Sequence, residues 1–460
     1  MPKIIPKASV GSKSIEYRSQ RIVILMGGLV PIPKDWTKGV VNANGKPTKH
    51  QLDCAKCETY AEMTSAWRKA LRWTDGLEYA LSVMLASITS TRSVGDQLWI
   101  KVIGPASCGK STLCEALSVN REFVHANSQM TGFHSGFNTS GDVKEDNSLI
   151  AKLYGKTLVT KDGDTLLQNT NVNQILSEAR DIYDSVSRTH YKNKMGKEYM
   201  GLRMTWLLCG TSSLRSIDSS ELGERFLDCV IMEGIDDAME DEVLLRVAHR
   251  AERNLSIEAD GNAESQYEPY LVSAMQLTGG YVGYLRKNAT RLLTAVQTPE
   301  EALLRCTRLG KFVAFMRARP SDRQDETAER EFAARLVSQH IRVAKCLAVV
   351  LNRDTVDAAT MQRVRRVALD TSRGQTLEIA AHLFEHNDTG LDVHNLALKT
   401  GRADVKVRDM LRFLRQIGVT MHHTEKVHGI SKKPRWRLTK RMRNLYKEVV
   451  GTEEIELLPL

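Results

Sequence analysis

The chain has 460 residues, room for about three domains, and its 42% hydrophobic and 26% charged content excludes a fibrous or disordered protein. A formal net charge of +10 points to a polyanionic partner. No apolar run approaches a membrane span and residues 1–14 lack the apolar core of a signal peptide. The eight cysteines are scattered and several sit in apolar segments, so a disulfide framework is not expected and the chain reads as cytoplasmic.

Residues 1–48 show little periodicity, with Pro and Gly punctuating short apolar pieces. His50, Cys54 and Cys57 have the spacing of half a zinc site, but no second Cys/His pair follows, and the alternative is two thiols near the start of a helix. From 59 to 86 the pattern is helical, with Trp67, Leu71, Leu77, Leu81 and Met84 on recurring faces. Asp75-Gly76 interrupts it, which predicts two helices.

The strongest signal lies at 97–112, QLWIKVIGPASCGKST. A short apolar strand, 98–103, runs into Gly104-Pro105-Ala106-Ser107-Cys108-Gly109-Lys110-Ser111-Thr112, a complete G-x-x-x-x-G-K-[ST] loop with a helix directly behind it. Glycines let backbone N–H groups approach phosphates, and the helix N-terminus adds its positive end. Lys110 is expected on the β/γ-phosphates of ATP and the Ser111 hydroxyl on Mg²⁺.

A second strand is predicted at 123–126, followed by a Gly-rich polar excursion at 132–142, and a third at 156–160 ending in Lys161-Asp162-Gly163-Asp164. An acid at that strand end suits the metal shell or water activation. Asp162 is the first choice for the Mg²⁺ shell and Asp164 the second; the alternative is a simple turn. A helix over 171–186 leads into a hairpin within 187–204, whose tip carries Lys192, Lys194 and Lys197. Those cations suit a phosphate backbone, or merely solvent. A fourth strand, 205–209, ends in Gly210-Thr211-Ser212-Ser213, where Thr211 or Ser212 can orient water. Arg225 precedes a last apolar strand at 229–232 and can serve a neighbour's γ-phosphate in trans, or simply make a surface ion pair.

This order of phosphate loop, acidic strand end, basic hairpin, polar strand end and Glu224-Arg225-Phe226 resembles AAA+ ATPases of the pre-sensor-hairpin group, most of all minichromosome-maintenance-like and phage replicative helicases. The likeness covers roughly 98–350. It implies a hexameric ring with ATP between subunits, Lys110 and Ser111 in the phosphate loop, and Asp162 with Asp164 at the Walker B strand end. It also implies Thr211 as sensor 1, Arg225 as arginine finger, and Lys194 with Lys197 on a pore hairpin around single-stranded DNA. The chain departs from the group in its K-D-G-D strand end and in its short N-terminal region.

Residues 236–350 read as helical, as expected of such a lid, with a linker to 370. The clearest amphipathic helix is 329–348, where Arg335 resembles a second-sensor arginine; its alternative is a solvated charged face. Asp370–Gly374 breaks the pattern. Helices at 376–385, 392–399 and 404–416 then precede an alternating pair of strands within 419–437, an arrangement that resembles a winged helix. Between 402 and 447 there are 14 Lys/Arg against 3 Asp/Glu, a larger excess than that of the whole chain. Lys406, Arg408 and Arg412 fall on the would-be recognition helix, and Lys432, Lys433, Arg435 and Arg437 on the wing, which favours duplex DNA over a protein-docking role.

The expected fold is therefore α/β: an AAA+ P-loop core with a parallel sheet and flanking helices, a helical lid, and a C-terminal winged-helix domain. The expected segments are 1–90, 91–235, 236–370 and 371–460. The expected function is that of an ATP-dependent DNA motor, a ring-forming replicative helicase. The alternatives are a switch ATPase that loads or remodels a replication protein, or an ATP-controlled DNA-binding regulator.

Overall fold

In the computed structural model the described residues are 52–127, 130, 132–134, 148–190, 196–219, 225–231, 241, 244–245, 247–249, 251–252, 268–318, 332–372, 374–424, 426–427, 430–431 and 434–451. To these are added four short strands near the N-terminus, β1 (Ile22–Leu25), β2 (Gly28–Pro31), β3 (Val40–Val41) and β4 (Pro47–Thr48), which pair antiparallel as β1–β2 and β3–β4. The chain forms two units. One comprises 1–226, 230–295 and 349–352, and the other 227–229, 296–348 and 353–460.

An α/β structure built on a five-stranded parallel sheet lies in the first unit, except that residues 227–229 of its last strand fall in the second. Its strands are β5 (Trp99–Ile103), β6 (Val124–Asn127), β7 (Thr157–Thr160), β10 (Thr205–Gly210) and β11 (Phe226–Val230), in the order β11-β5-β10-β7-β6. Every residue of β5, β7, β10 and β11 is buried, as expected where helices cover both faces. Trp206 stands edge-on to Trp99 at 5.5 Å and to Phe133 at 5.7 Å, and Tyr183 meets Trp99 edge-on at 5.1 Å. The indole N–H groups do not stay unpaired: Trp206 donates to Thr160 Oγ1 and Trp99 to the Met204 carbonyl.

Helices α1 (Tyr60–Ala70) and α2 (Asp75–Ser90) each start at a threonine, Thr59 or Thr74, whose hydroxyl accepts a first-turn N–H. Asp75 and Gly76 thus open α2, and the break between the two helices falls at 71–74, one turn before the expected interruption. The hydroxyls of Thr91, Thr157 and Thr205 meet at 2.7–3.2 Å and tie the end of α2 to β7 and β10. Helix α3 (Lys110–Ser118) follows β5, and α4 (Leu149–Leu153) and α5 (Gly163–Leu167) flank β7. Helix α6 (Val172–Tyr183) buries Ile175, Leu176, Ala179 and Ile182, which recur at helical spacing on one face.

After α6 the chain makes the predicted hairpin, β8 (Val186–His190) against β9 (Gly196–Met200), with His190 opposite Gly196. Helix α7 (Pro269–Ala295) closes the unit against α1, α2 and α3. A Cβ on its Gly280 would fall 1.6 Å from the Ala55 carbonyl oxygen, so only glycine admits that crossing.

The second unit contains α8 (Glu300–Met316), α9 (Ala334–Val350, less its last residues), α10 (Ala358–Ser372), α11 (Gln375–Glu385), α12 (Val393–Thr400) and α13 (Asp404–Gln416). Then β12 (Thr420–His423) pairs antiparallel with β15 (Arg435–Leu438), and β13 (Lys426–Val427) with β14 (Ile430–Ser431). A terminal helix, α14 (Lys440–Val450), follows and was not foreseen. It is capped by Thr439 and buries Met442, Leu445, Tyr446 and Val449.

Candidate functional site

The phosphate loop leaves the C-terminal end of β5, a strand with β11 and β10 on its two sides, and enters α3 through Gly109. Gly109 has φ 91° and Ser107 has φ 62°, so the loop turns twice through the left-handed region. Gly104 is closely packed: a Cβ there would lie 2.7 Å from Cys108 Sγ and 3.3 Å from Ile231. Pro105, Ala106 and Ser107 are exposed, as is Ser111, whereas Thr112 is half-buried. With glycine as N-cap, the first turn of α3 receives no side-chain capping bond, and its N–H groups remain for an anion.

Lys110 is buried, and its ammonium donates to the loop's own carbonyls, Gly104 at 2.7 Å and Pro105 at 2.6 Å. The lysine is therefore held by the loop that would present it. These features fit a nucleotide polyphosphate: a cationic group, uncapped N–H groups and an exposed hydroxyl at Ser111.

The two acids of K-D-G-D have separate environments. Asp162 is the N-cap of α5, exposed, and accepts from the N–H and hydroxyl of Thr165. Asp164 turns to the end of β10, where it accepts from the Thr211 N–H at 2.9 Å, the Thr211 hydroxyl at 3.0 Å and the Ser213 hydroxyl. Burial alone would raise its carboxyl pKa. The hydrogen bonds from Ser213 and Thr211, with the Lys110 charge, outweigh that and hold it below its ordinary value.

Gly163 makes this possible. A Cβ there would be 2.8 Å from Leu208 and from Leu214, and 3.1 Å from the Cys209 carbonyl oxygen. The small residue lets α5 start directly against β10, which brings Asp164 to Thr211. Ser213 and Gly163 were not singled out from sequence. A run of three hydroxyl residues does not reveal which of them faces the acid, and close approach leaves no mark on spacing. Lys161, beside these acids, is ion-paired with Glu115 on α3.

Arg225 lies immediately before β11 and is buried. Its guanidinium pairs with Asp184 at 2.9 Å and lies over the Tyr183 ring at 5.5 Å, so within one chain it is engaged at the end of α6. Arg335 belongs to the second unit, half-buried in the first turn of α9. Lys192 and Lys194 lie outside the described residues. Lys197, expected at the hairpin tip, lies instead within β9 in register with Thr189, because the strand already begins at Gly196; its side chain is likewise outside the described residues. Lys406, Arg408 and Arg412 are exposed on α13. Arg435 is exposed and donates to the Thr389 carbonyl, Arg437 is half-buried, and Lys432 and Lys433 lie outside the described residues.

Among the described residues no group of three or more His, Cys, Asp or Glu is placed to hold a metal. His50 lies outside them. Cys54 and Cys57 donate to the carbonyls of Val119 and Thr59, and burial pushes both thiols up, Cys57 to about 11. Among the described residues, no helix is long and apolar enough to cross a membrane. Searches against protein-family models and against curated proteins find no match for this chain.

Proposed function

We propose that the chain is an ATP-hydrolysing nucleic-acid motor of the AAA+ class, in the pre-sensor-hairpin group, acting as a ring-forming replicative DNA helicase. The observation that carries the reading is the bridge between neighbouring strand ends. Asp164 after β7 holds Thr211 after β10, and β10 lies beside the strand that launches the phosphate loop. The sheet order β11-β5-β10-β7-β6 and the hairpin inserted between α6 and β10 add to it.

In this reading Lys110 and the α3 N-terminus bind the phosphates of ATP, with Cys108 and the rest of 104–112 as the cradle. Ser111 and one of Asp162 and Asp164 hold Mg²⁺, which neutralises phosphate charge. Asp164, kept ionised, positions the Thr211 hydroxyl toward the attacking water. Arg225 serves the nucleotide of a neighbouring subunit within a homo-oligomer, proposed as a hexamer, and Arg335 has the role of second sensor. The hairpin lysines track a single strand, while the C-terminal helices and strands form a winged helix on duplex DNA.

The pairing of Arg225 with its own Asp184 favours one alternative, a switch ATPase whose arginine is released when it loads a partner protein. Unwinding of a forked DNA separates the two. The motor reading expects ATP-dependent unwinding that Lys194→Ala/Lys197→Ala abolishes while duplex binding survives. DNA-stimulated hydrolysis without unwinding would favour the switch.

A further inference from the structure

A basic concavity of the second unit lies away from the would-be recognition helix. A cleft of about 790 Å³ opens between α11, the β12–β15 pair and α14, and none of its lining residues comes from α13. That volume is in the range that holds a nucleotide-sized ligand. Its apolar lining is Phe384, Met421 and Leu438. Phe384 is fixed by stacking on Tyr446 of α14 at 4.5 Å. Its cationic lining is Arg437, Lys440, Arg443 and Lys447, with His423 at the end of β12.

Lys440, Arg443 and Lys447 are exposed and recur at i, i+3 and i+7, so they share one face of α14. At 1.5 Å per residue they span about 10 Å, the reach of two to three phosphates on an extended strand. The opposite face of the helix carries the residues that fix it, Met442, Leu445, Tyr446 and Val449. Acids border the cleft as well: Glu385 follows Phe384 in the chain, acts on Tyr446 and faces His382 and His386. Asp388, exposed, pairs with Arg443 at 3.3 Å, and Glu448 pairs with Arg308.

From this lining we infer that the cleft is a binding site for unpaired nucleic acid, with one base against Phe384 and Met421 and its flanking phosphates on Arg443 and Lys447. The inference rests on the nucleic-acid reading above and adds a second, distinct contact to it. An apolar patch enclosed by cations suits a nucleotide whose base is exposed, since stacking and phosphate contact then act together. A duplex hides its base faces and would use the cations alone.

The test uses the full-length chain and a labelled twelve-nucleotide oligothymidylate against a blunt duplex of equal length, by fluorescence anisotropy over a salt series. It is run in a Lys194→Ala/Lys197→Ala background so that the hairpin does not contribute. Adding Arg443→Glu/Lys447→Glu should weaken single-strand binding at least tenfold and leave the duplex within about twofold. Arg443→Lys/Lys447→Arg should restore it. Neutralising two phosphate contacts, by Arg443→Ala/Lys447→Ala, should reduce the salt slope for the single strand by about 1.4. Thermal melting of each variant, expected to be unchanged because both side chains are exposed, separates lost binding from lost folding.

Single-strand affinity untouched by the Glu pair overturns the inference, and so does an equal loss on duplex. Displacement of the oligonucleotide by polyglutamate at similar charge concentration also overturns it, by assigning the cleft to an acidic peptide. If the protein with its hairpin intact binds neither nucleic acid, the broader reading fails with it.

Discussion

Alanine in place of Gly163 probes the step on which the site depends, the approach of α5 to β10. The position has no left-handed φ, so the cost is steric. The new methyl would lie 2.8 Å from Leu208 Cδ1 and Leu214 Cδ2 and 3.1 Å from the Cys209 carbonyl oxygen. Both leucines are fully buried and have nowhere to retreat, and the third contact is backbone. Overpacking of this kind costs about 1–3 kcal/mol. Removing a glycine from the unfolded chain returns about 0.4–1 kcal/mol, leaving a net loss of about 1.3 kcal/mol at the middle of the two ranges.

Relief requires α5 to move off β10, and Asp164 moves with it, away from Thr211. A displacement of about 1 Å in a positioned group is worth about 10²-fold in rate. Gly163→Ala should therefore melt a few degrees lower, bind ATP with near-unchanged affinity, and hydrolyse it about 10²-fold more slowly. Asp164→Asn should match its rate loss without the steric cost. Calorimetry, binding of a fluorescent ATP analogue and a phosphate-release assay measure the three quantities. A Gly163→Ala protein with unchanged melting and turnover would refute the reasoning.

Three further outcomes are expected. Lys110→Ala and Arg225→Ala subunits, each about 10²-fold or more impaired in hydrolysis, should regain activity when mixed, because the intact arginine of one completes the intact loop of the other. No recovery on mixing would remove the trans role from Arg225.

His340 is fully buried, its Nδ1–H donating to the Leu336 carbonyl, and burial, helped by the Arg317 charge, lowers its pKa to about 4. The unfolded chain then takes up a proton first, so stability is complete above about pH 6.5 and falls as the pH drops toward 4, by about 3 kcal/mol in all. His340→Met should flatten that acid limb in denaturant titrations, and an unchanged limb would contradict the assignment. For Asp164, whose carboxyl is held below its ordinary value, the stabilising contribution is present above the ordinary carboxylate range and disappears only as the pH falls through the lowered value. Carbon-13 NMR titration of that carboxyl should show a depressed midpoint that returns toward normal in Thr211→Val/Ser213→Ala.

Much of the sheet was legible because parallel strands buried on both faces read as short apolar runs, and 98–103, 156–160 and 205–209 lie within a residue of β5, β7 and β10. The last strand begins at Phe226 instead of Cys229, since Asp228 in mid-run masks its apolar character although it is itself buried. Helix α13 buries Val407, Leu411 and Leu414, whose spacing is helical. Helix α14 was overlooked, although Thr439 and the spacing of Met442, Leu445, Tyr446 and Val449 carry the same kind of signal, because its charge was counted as part of a basic segment.

Within the site, the phosphate loop is written in the sequence because its backbone path needs glycine at fixed positions. The roles of the two aspartates are not. Asp162 and Asp164 are chemically alike and differ only in what α5 and β10 bring to each. Likewise the pairing of Arg225 with Asp184 joins residues 41 positions apart, beyond the reach of any local pattern.

The central claim, that ATP is hydrolysed at sites completed between subunits of a DNA-tracking ring, is tested most directly by one measurement. It is the specific ATPase rate over a wide range of protein concentration, with and without single-stranded DNA, alongside Lys110→Ala. The account predicts a steep rise in specific rate with concentration, further stimulation by DNA, and no activity in the variant. A specific rate that is independent of both concentration and DNA would contradict it.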